Sequence, residues 1–214
     1  EAARLTEAVE QCATHMISLG ADDANATGSI EDIGYALWRS ARSPLLVGRL
    51  RREIAVLTDR LARRQDGQGF WMERRKEDTV PGVRATALAT VALQRLGDDR
   101  YHEAIKKAVD WLIDQILHDI GALPHDAGGA DPDIIANTVT MEAIRRSDLA
   151  DNVPHVLATG DAWLVAGQTV LGGWQAESWS EDFVAGLVLE YLARRNEMLP
   201  QVDYLTVHTP LTDE

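Results

Sequence analysis

Apolar residues recur along this chain at helical spacing, in two kinds of segment. One kind is long and amphipathic and covers residues 44–64, 99–118 and 154–169, with 2–19 as a further example. The other is shorter and richer in Ala, Val, Thr and Leu, and covers 30–41, 82–96, 132–146 and 181–195. No segment sustains a period of two, so no sheet is expected. The two kinds alternate, which predicts an all-α chain of about four helical hairpins in series.

Boundary residues support these limits. Pro44, Pro81, Pro132 and Pro154 fall at or beside a first helical position, where a missing N–H is tolerated, and Ser43, Asp131 and Ser180 stand where N-caps are expected. Gly20, Gly67, Gly97, Gly121 and Gly172 suit helix ends and the turns after them. The hairpins also repeat: Gly69, Gly121 and Gly173 are spaced 52 residues apart, as are Trp111 and Trp163. Residues 1–195 therefore read as one helical repeat domain, and 196–214, which have no helical period, as an extended C-terminal tail over it.

Two turns share a composition. RQDGQGFW, residues 64–71, is echoed by QTVLGGW, residues 168–174, so that a glutamine, glycines and a tryptophan follow a long helix twice. Glycines let the chain turn sharply, the Trp packs against the neighbouring hairpin, and the Gln hydrogen-bonds helix ends. Gln65, Gly67, Gly69 and Trp71, with Gln168, Gly172, Gly173 and Trp174, resemble the QW repeat of squalene cyclases and related class II terpene cyclases. The resemblance implies an α/α toroid of alternating inner and outer helices, a fold shared with protein prenyltransferases and complement-like thioester domains. A closed toroid of that superfamily has more hairpins than are counted here, so the expectation is a toroid-like arc, an incomplete α/α barrel, standing open or as part of a larger protein or complex.

Composition narrows the functional classes. The 214 residues are 45% hydrophobic and 26% charged, enough for one large core or two small ones. The formal charge of -13 disfavours nucleic acid and anionic membranes as partners. No apolar run approaches a membrane span and residues 1–11 lack signal-peptide features, which sets a cytoplasmic expectation; the missing initiator Met points to a trimmed chain. Cys12 is alone, so no internal disulfide or multi-cysteine zinc site is expected. Cys12 and His15 lie one helical turn apart, a spacing more often met in a buried thiol beside a chance histidine, and His102, His118, His125, His155 and His208 form no HExxH-like motif. No metal or cofactor is expected, with Mg2+ entering only if the substrate is a diphosphate.

The resemblance also locates chemistry. Class II cyclases start by protonating an alkene or epoxide from a DxDD motif and steer the cation over aromatic faces. The local match is DPDIIANT, residues 131–138, which aligns Asp133 with the proton donor and Asp131 with its partner, while Ile134 replaces the last carboxylate. The alternative is structural: Asp131 caps the helix, Pro132 opens it, and Asp133 faces the positive end of its dipole. Other inner helices start with charge, at Glu31 and Asp32, Arg84, and Glu181 and Asp182, so a toroid would gather these turns on one rim, as dipole-complementing caps or as an acid and base pair of glycosidase type. Substrate-lining candidates are Trp38, Tyr35, Arg84, Trp179, Phe183 and Asp182, whereas Trp111 and Trp163 read as packing residues. Two functions follow. One is a protonation-initiated terpene-cyclase-like protein holding an isoprenoid or other apolar small molecule. The other is a noncatalytic repeat module for protein contact, and unsatisfied edges predict a homo-oligomer or docking to another domain in either case.

Overall fold

The computed structural model describes residues 29–42, 44–75, 78–118, 122–129, 131–170, 172–176 and 180–198. The expected helix at 2–19, Cys12 and His15, Ser43, Gly121, Trp179 and residues 199–214 lie outside them.

Among the described residues eight α-helices follow in order: α1 (Ile30–Ser40), α2 (Pro44–Arg49), α3 (Arg51–Arg63), α4 (Val83–Leu96), α5 (His102–His118), α6 (Ile134–Arg145), α7 (Pro154–Ala166) and α8 (Glu181–Met198). The expected segments from residue 30 onward are recovered, with shifted bounds. The segment at 44–64 breaks at Leu50 into α2 and α3, and α8 runs to Met198, three residues past the expected boundary. A two-stranded antiparallel hairpin, β1 (Trp71–Arg75) and β2 (Asp78–Gly82), corrects the expectation of no sheet. Its alternation is disguised because Glu73, not an apolar residue, shares the buried face with Trp71 while Met72 and Arg74 face out. Pro81 sits on β2, not beside a helix start, and pairs with Met72.

Helices α1, α4, α6 and α8 form the inner row, each packed on the next, and α3, α5 and α7 cover α1, α4 and α6 from outside. Burial follows this order. Every residue from Val83 to Leu93 in α4 and from Ile134 to Arg145 in α6 is buried, as expected of helices walled on all sides. Three of their threonines bond within the helix: Thr86, Thr90 and Thr138 donate to the carbonyls of Gly82, Thr86 and Ile134 at 2.6–2.7 Å, whereas the buried Thr140 hydroxyl has no such partner. The row bends until its ends touch, Tyr35 of α1 meeting Phe183 of α8 edge-on at 5.8 Å and Arg42 pairing with Glu190.

The two glutamine–tryptophan turns are the same device used twice. Gln65 donates to Gly69 O at 2.9 Å and Trp71 Nε1 to Leu61 O at 2.7 Å; Gln168 donates to Gly172 O and Trp174 Nε1 to Leu164 O, both at 2.7 Å. Gly69 and Gly172 have φ of 102° and 84°, so the equivalent glycine is Gly172, one position from the Gly173 suggested by spacing. A second Gln65 bond, to Ala104 O at 2.8 Å, ties this turn to the next outer helix. In the intervening repeat Leu123, fully buried, takes the Trp place and exchanges two bonds with Asn137 at 2.8 and 3.0 Å.

Candidate functional site

The inner helices start on one rim, and equal register puts Glu31, Arg84, Ile135 and Asp182 at the second position of α1, α4, α6 and α8. Arg84 organises the rim. Its side chain, 10% exposed, gives Nε and Nη2 to Glu31 Oε2 at 3.0 and 2.7 Å and Nη1 to Asp133 Oδ2 at 3.0 Å. His125 Nε2 lies 2.5 Å from Glu31 Oε1, and the His125 carbonyl accepts from the Val83 and Arg84 N–H groups at 3.0 and 3.1 Å, closing the first turn of α4. Burial pushes the Glu31 carboxyl up, but hydrogen bonds from His125 and Arg84, with their charges, outweigh it and hold the pKa at about 2.

Asp133 is the N-cap of α6. Oδ1 accepts from Ala136 N–H at 2.7 Å while Oδ2 accepts from Arg84, so both oxygens are acceptors. The cap is therefore Asp133 and not Asp131, and the helix opens at Ile134, not Pro132. Asp131 is exposed before the helix, outside the cluster. The Ser180 cap expected for α8 is present, its Oγ accepting from Phe183 N–H at 3.3 Å.

Beneath the rim lies a cleft of about 40 Å³, lined by Tyr35, Trp38, Leu88, Ile135, Phe183 and Leu187 with Glu31, Asp32 and Arg84 at its opening. Tyr35 stands edge-on to both Trp38, at 5.9 Å, and Phe183, at 5.8 Å. Four of the expected lining residues, Trp38, Tyr35, Arg84 and Phe183, thus meet in one place. Asp182 is exposed on the first turn of α8 and is not part of the lining, and Trp179 lies outside the described residues. Asp133 adjoins this space through Arg84. Among the described residues no group of three or more His, Cys, Asp or Glu side chains is arranged to hold a metal ion, and no helix is long and apolar enough to cross a membrane.

Sequence reasoning placed Glu31 on the rim as a dipole-complementing cap or one of an acid and base pair, not as a partner of Arg84, and considered His125 only as a metal ligand. The signal for Glu31 was its register, the same helical position as Arg84. His125 left none, since it reaches the rim by the path of the loop at residues 122–129. Trp111 and Trp163 are half-buried against the core, and Trp111 lies 5.3 Å from Phe70, consistent with packing.

No protein-family model matches the chain, and a search of curated proteins finds no match. Among solved structures, ent-copalyl diphosphate synthase from Streptomyces platensis superposes with a TM-score of 0.56 at 21% identity over 78% of this chain, which spans 33% of that chain's length. The type II terpene cyclase MstE from Scytonema superposes with a TM-score of 0.53 at 16% identity, covering 92% of this chain and 84% of that one. Together with the alternating inner and outer helices and the paired glutamine–tryptophan turns, these likenesses identify the architecture as a terpenoid-cyclase-like α/α toroid of partial extent.

Proposed function

We propose that this chain binds an isoprenoid or other apolar small molecule at the rim of its inner helices, as a terpene-cyclase-like domain with Asp133 as the acid. The observation that carries this reading is the arrangement of Tyr35, Trp38 and Phe183 around one apolar cleft under the Arg84 cluster. Aromatic faces suit a polyene and any cation formed from it. The resting cleft of about 40 Å³ is far smaller than the several hundred Å³ of usual ligand sites, so binding requires α1 to part from α8. That seam is the thin one, held by the Tyr35–Phe183 contact and the Arg42–Glu190 pair. Proton delivery would use Asp133 Oδ2, because Oδ1 is committed to the helix cap, and Oδ2 would exchange Arg84 for a proton. Asp131, although exposed, precedes the acid by two residues and would tune its field. Mg2+ is invoked only for a diphosphate substrate.

A second reading, a noncatalytic repeat module, draws on three features: both Asp133 oxygens are occupied, Ile134 stands where the motif has a carboxylate, and the cleft is small. Incubation with farnesyl diphosphate, geranylgeranyl diphosphate and squalene, followed by product analysis, separates the two. Cyclised product from wild type that disappears in Asp133→Asn supports the first reading. No product from any substrate, or full activity in Asp133→Asn, moves the assignment to the second.

A further inference from the structure

A second cleft lined by described residues, larger than the one at the rim, lies elsewhere. Ten residues beyond Arg84, about 15 Å along α4, a space of about 390 Å³ opens between the last turn of α4, the start of α5 and the turn after α6. This volume falls within the range of small-molecule sites, whereas the rim cleft does not. Ile105, Val109 and Leu149 give it an apolar wall, and Lys106, Arg146 and His102 line it with Asp148 as the single acid.

Two further features bear on what would fit. Gln94 donates its amide nitrogen to Ala143 O at 2.8 Å, which fixes the orientation of the amide, and its Oε1 is buried with no hydrogen-bond partner. That oxygen has no surface open to the cleft and lies out of a ligand's reach. The charge balance is also uneven. Arg146 shares the Glu142 carboxylate with Arg95, at 2.9 and 2.5 Å, so one anion serves two cations. Arg42 and Arg194 at this end both pair with Glu190, and burial, followed by repulsion from Arg95, pushes Arg42 down to about 10. The cleft's own lining carries Lys106 and Arg146 against Asp148.

We infer that this cleft is a binding site for a small amphipathic oxyanion: an aliphatic body against Ile105, Val109 and Leu149 and an anionic head at Lys106 and Arg146. The site is independent of the rim and of the function proposed there.

Calorimetric titration of the chain at neutral pH with decanoate, decyl phosphate and inorganic phosphate tests the assignment. The aliphatic anions should bind, and the carboxylate and phosphate arms show which head is preferred. Lys106→Gln with Arg146→Gln should weaken them by about fivefold or more. Ile105→Trp, which fills the cleft, should abolish binding. Thermal midpoints check that each variant folds, and Lys106→Gln alone, on an exposed side chain, provides a charge test that leaves the core untouched. Absence of binding by both aliphatic anions at millimolar concentration overturns the inference. So does binding unchanged in both Ile105→Trp and the charge variants, or inorganic phosphate binding as tightly as decyl phosphate.

Discussion

Glu31→Gln isolates the electrostatics of the rim. Glu31 has a pKa of about 2 in the folded chain against an ordinary 4.5, and its side chain is 14% exposed, so solvent screens the pairing little. The difference between 4.5 and about 2 is worth roughly 3–4 kcal/mol in linked stability, at about 1.4 kcal/mol for each pH unit. Because the folded value lies below the unfolded one, this contribution is complete above about pH 4.5 and is lost as the pH falls towards 2. Other carboxylates titrate in the same window, so the informative quantity is a difference. Urea unfolding followed by circular dichroism, on wild type and Glu31→Gln from pH 6 to pH 2, should show the wild-type advantage shrinking by about 3 kcal/mol across that range. The His125→Ala background should reduce the change, since His125 supplies the largest of the opposing effects on Glu31. Stability curves that stay parallel from pH 6 to pH 2 would refute the claim that Arg84 and His125 hold this carboxylate.

The paired turns make two further predictions. Trp71→Phe and Trp174→Phe each remove an indole N–H bonded to a helix carbonyl at 2.7 Å, and each should cost about 1–2 kcal/mol by urea unfolding. Gly69→Ala should destabilise by more than about 1 kcal/mol, because φ is 102° and a Cβ would collide with the Lys107 carbonyl, whereas Gly67→Ala, facing open space, should be close to neutral in the same thermal melt.

The helices were legible in the sequence because burial in this fold is periodic, and the long and short segments differ in how many sides are covered. The turns were legible for a chemical reason: left-handed glycines and an indole donor leave few alternatives. The β-hairpin was hidden by Glu73, a polar residue on the buried face of a strand. The start of α6 was misplaced because Asp131-Pro132 has the composition of a cap and first turn, while Pro132 instead bridges to Pro124 and the chain turns helical two residues later. For the rim, the residue types and their register could be read, including Arg84 among the carboxylates. The pairing of Arg84 with Glu31 and Asp133 could not, since those contacts span 53 and 49 residues and depend on how far the inner row bends. The closure from α1 to α8 is likewise a property of packing angles and not of any local pattern.

The central claim is that an apolar ligand enters between α1 and α8 beneath the Arg84 cluster. Photo-crosslinking with a diazirine-bearing farnesol, mapped by peptide mass spectrometry, tests it most directly. The account predicts labels on Tyr35, Leu88, Ile135, Phe183 or Leu187, suppressed by unlabelled farnesol and lost in a Tyr35→Ala, Phe183→Ala double variant. Labels confined to the cleft at Ile105 and Leu149, or scattered labels that unlabelled farnesol does not suppress, would contradict it.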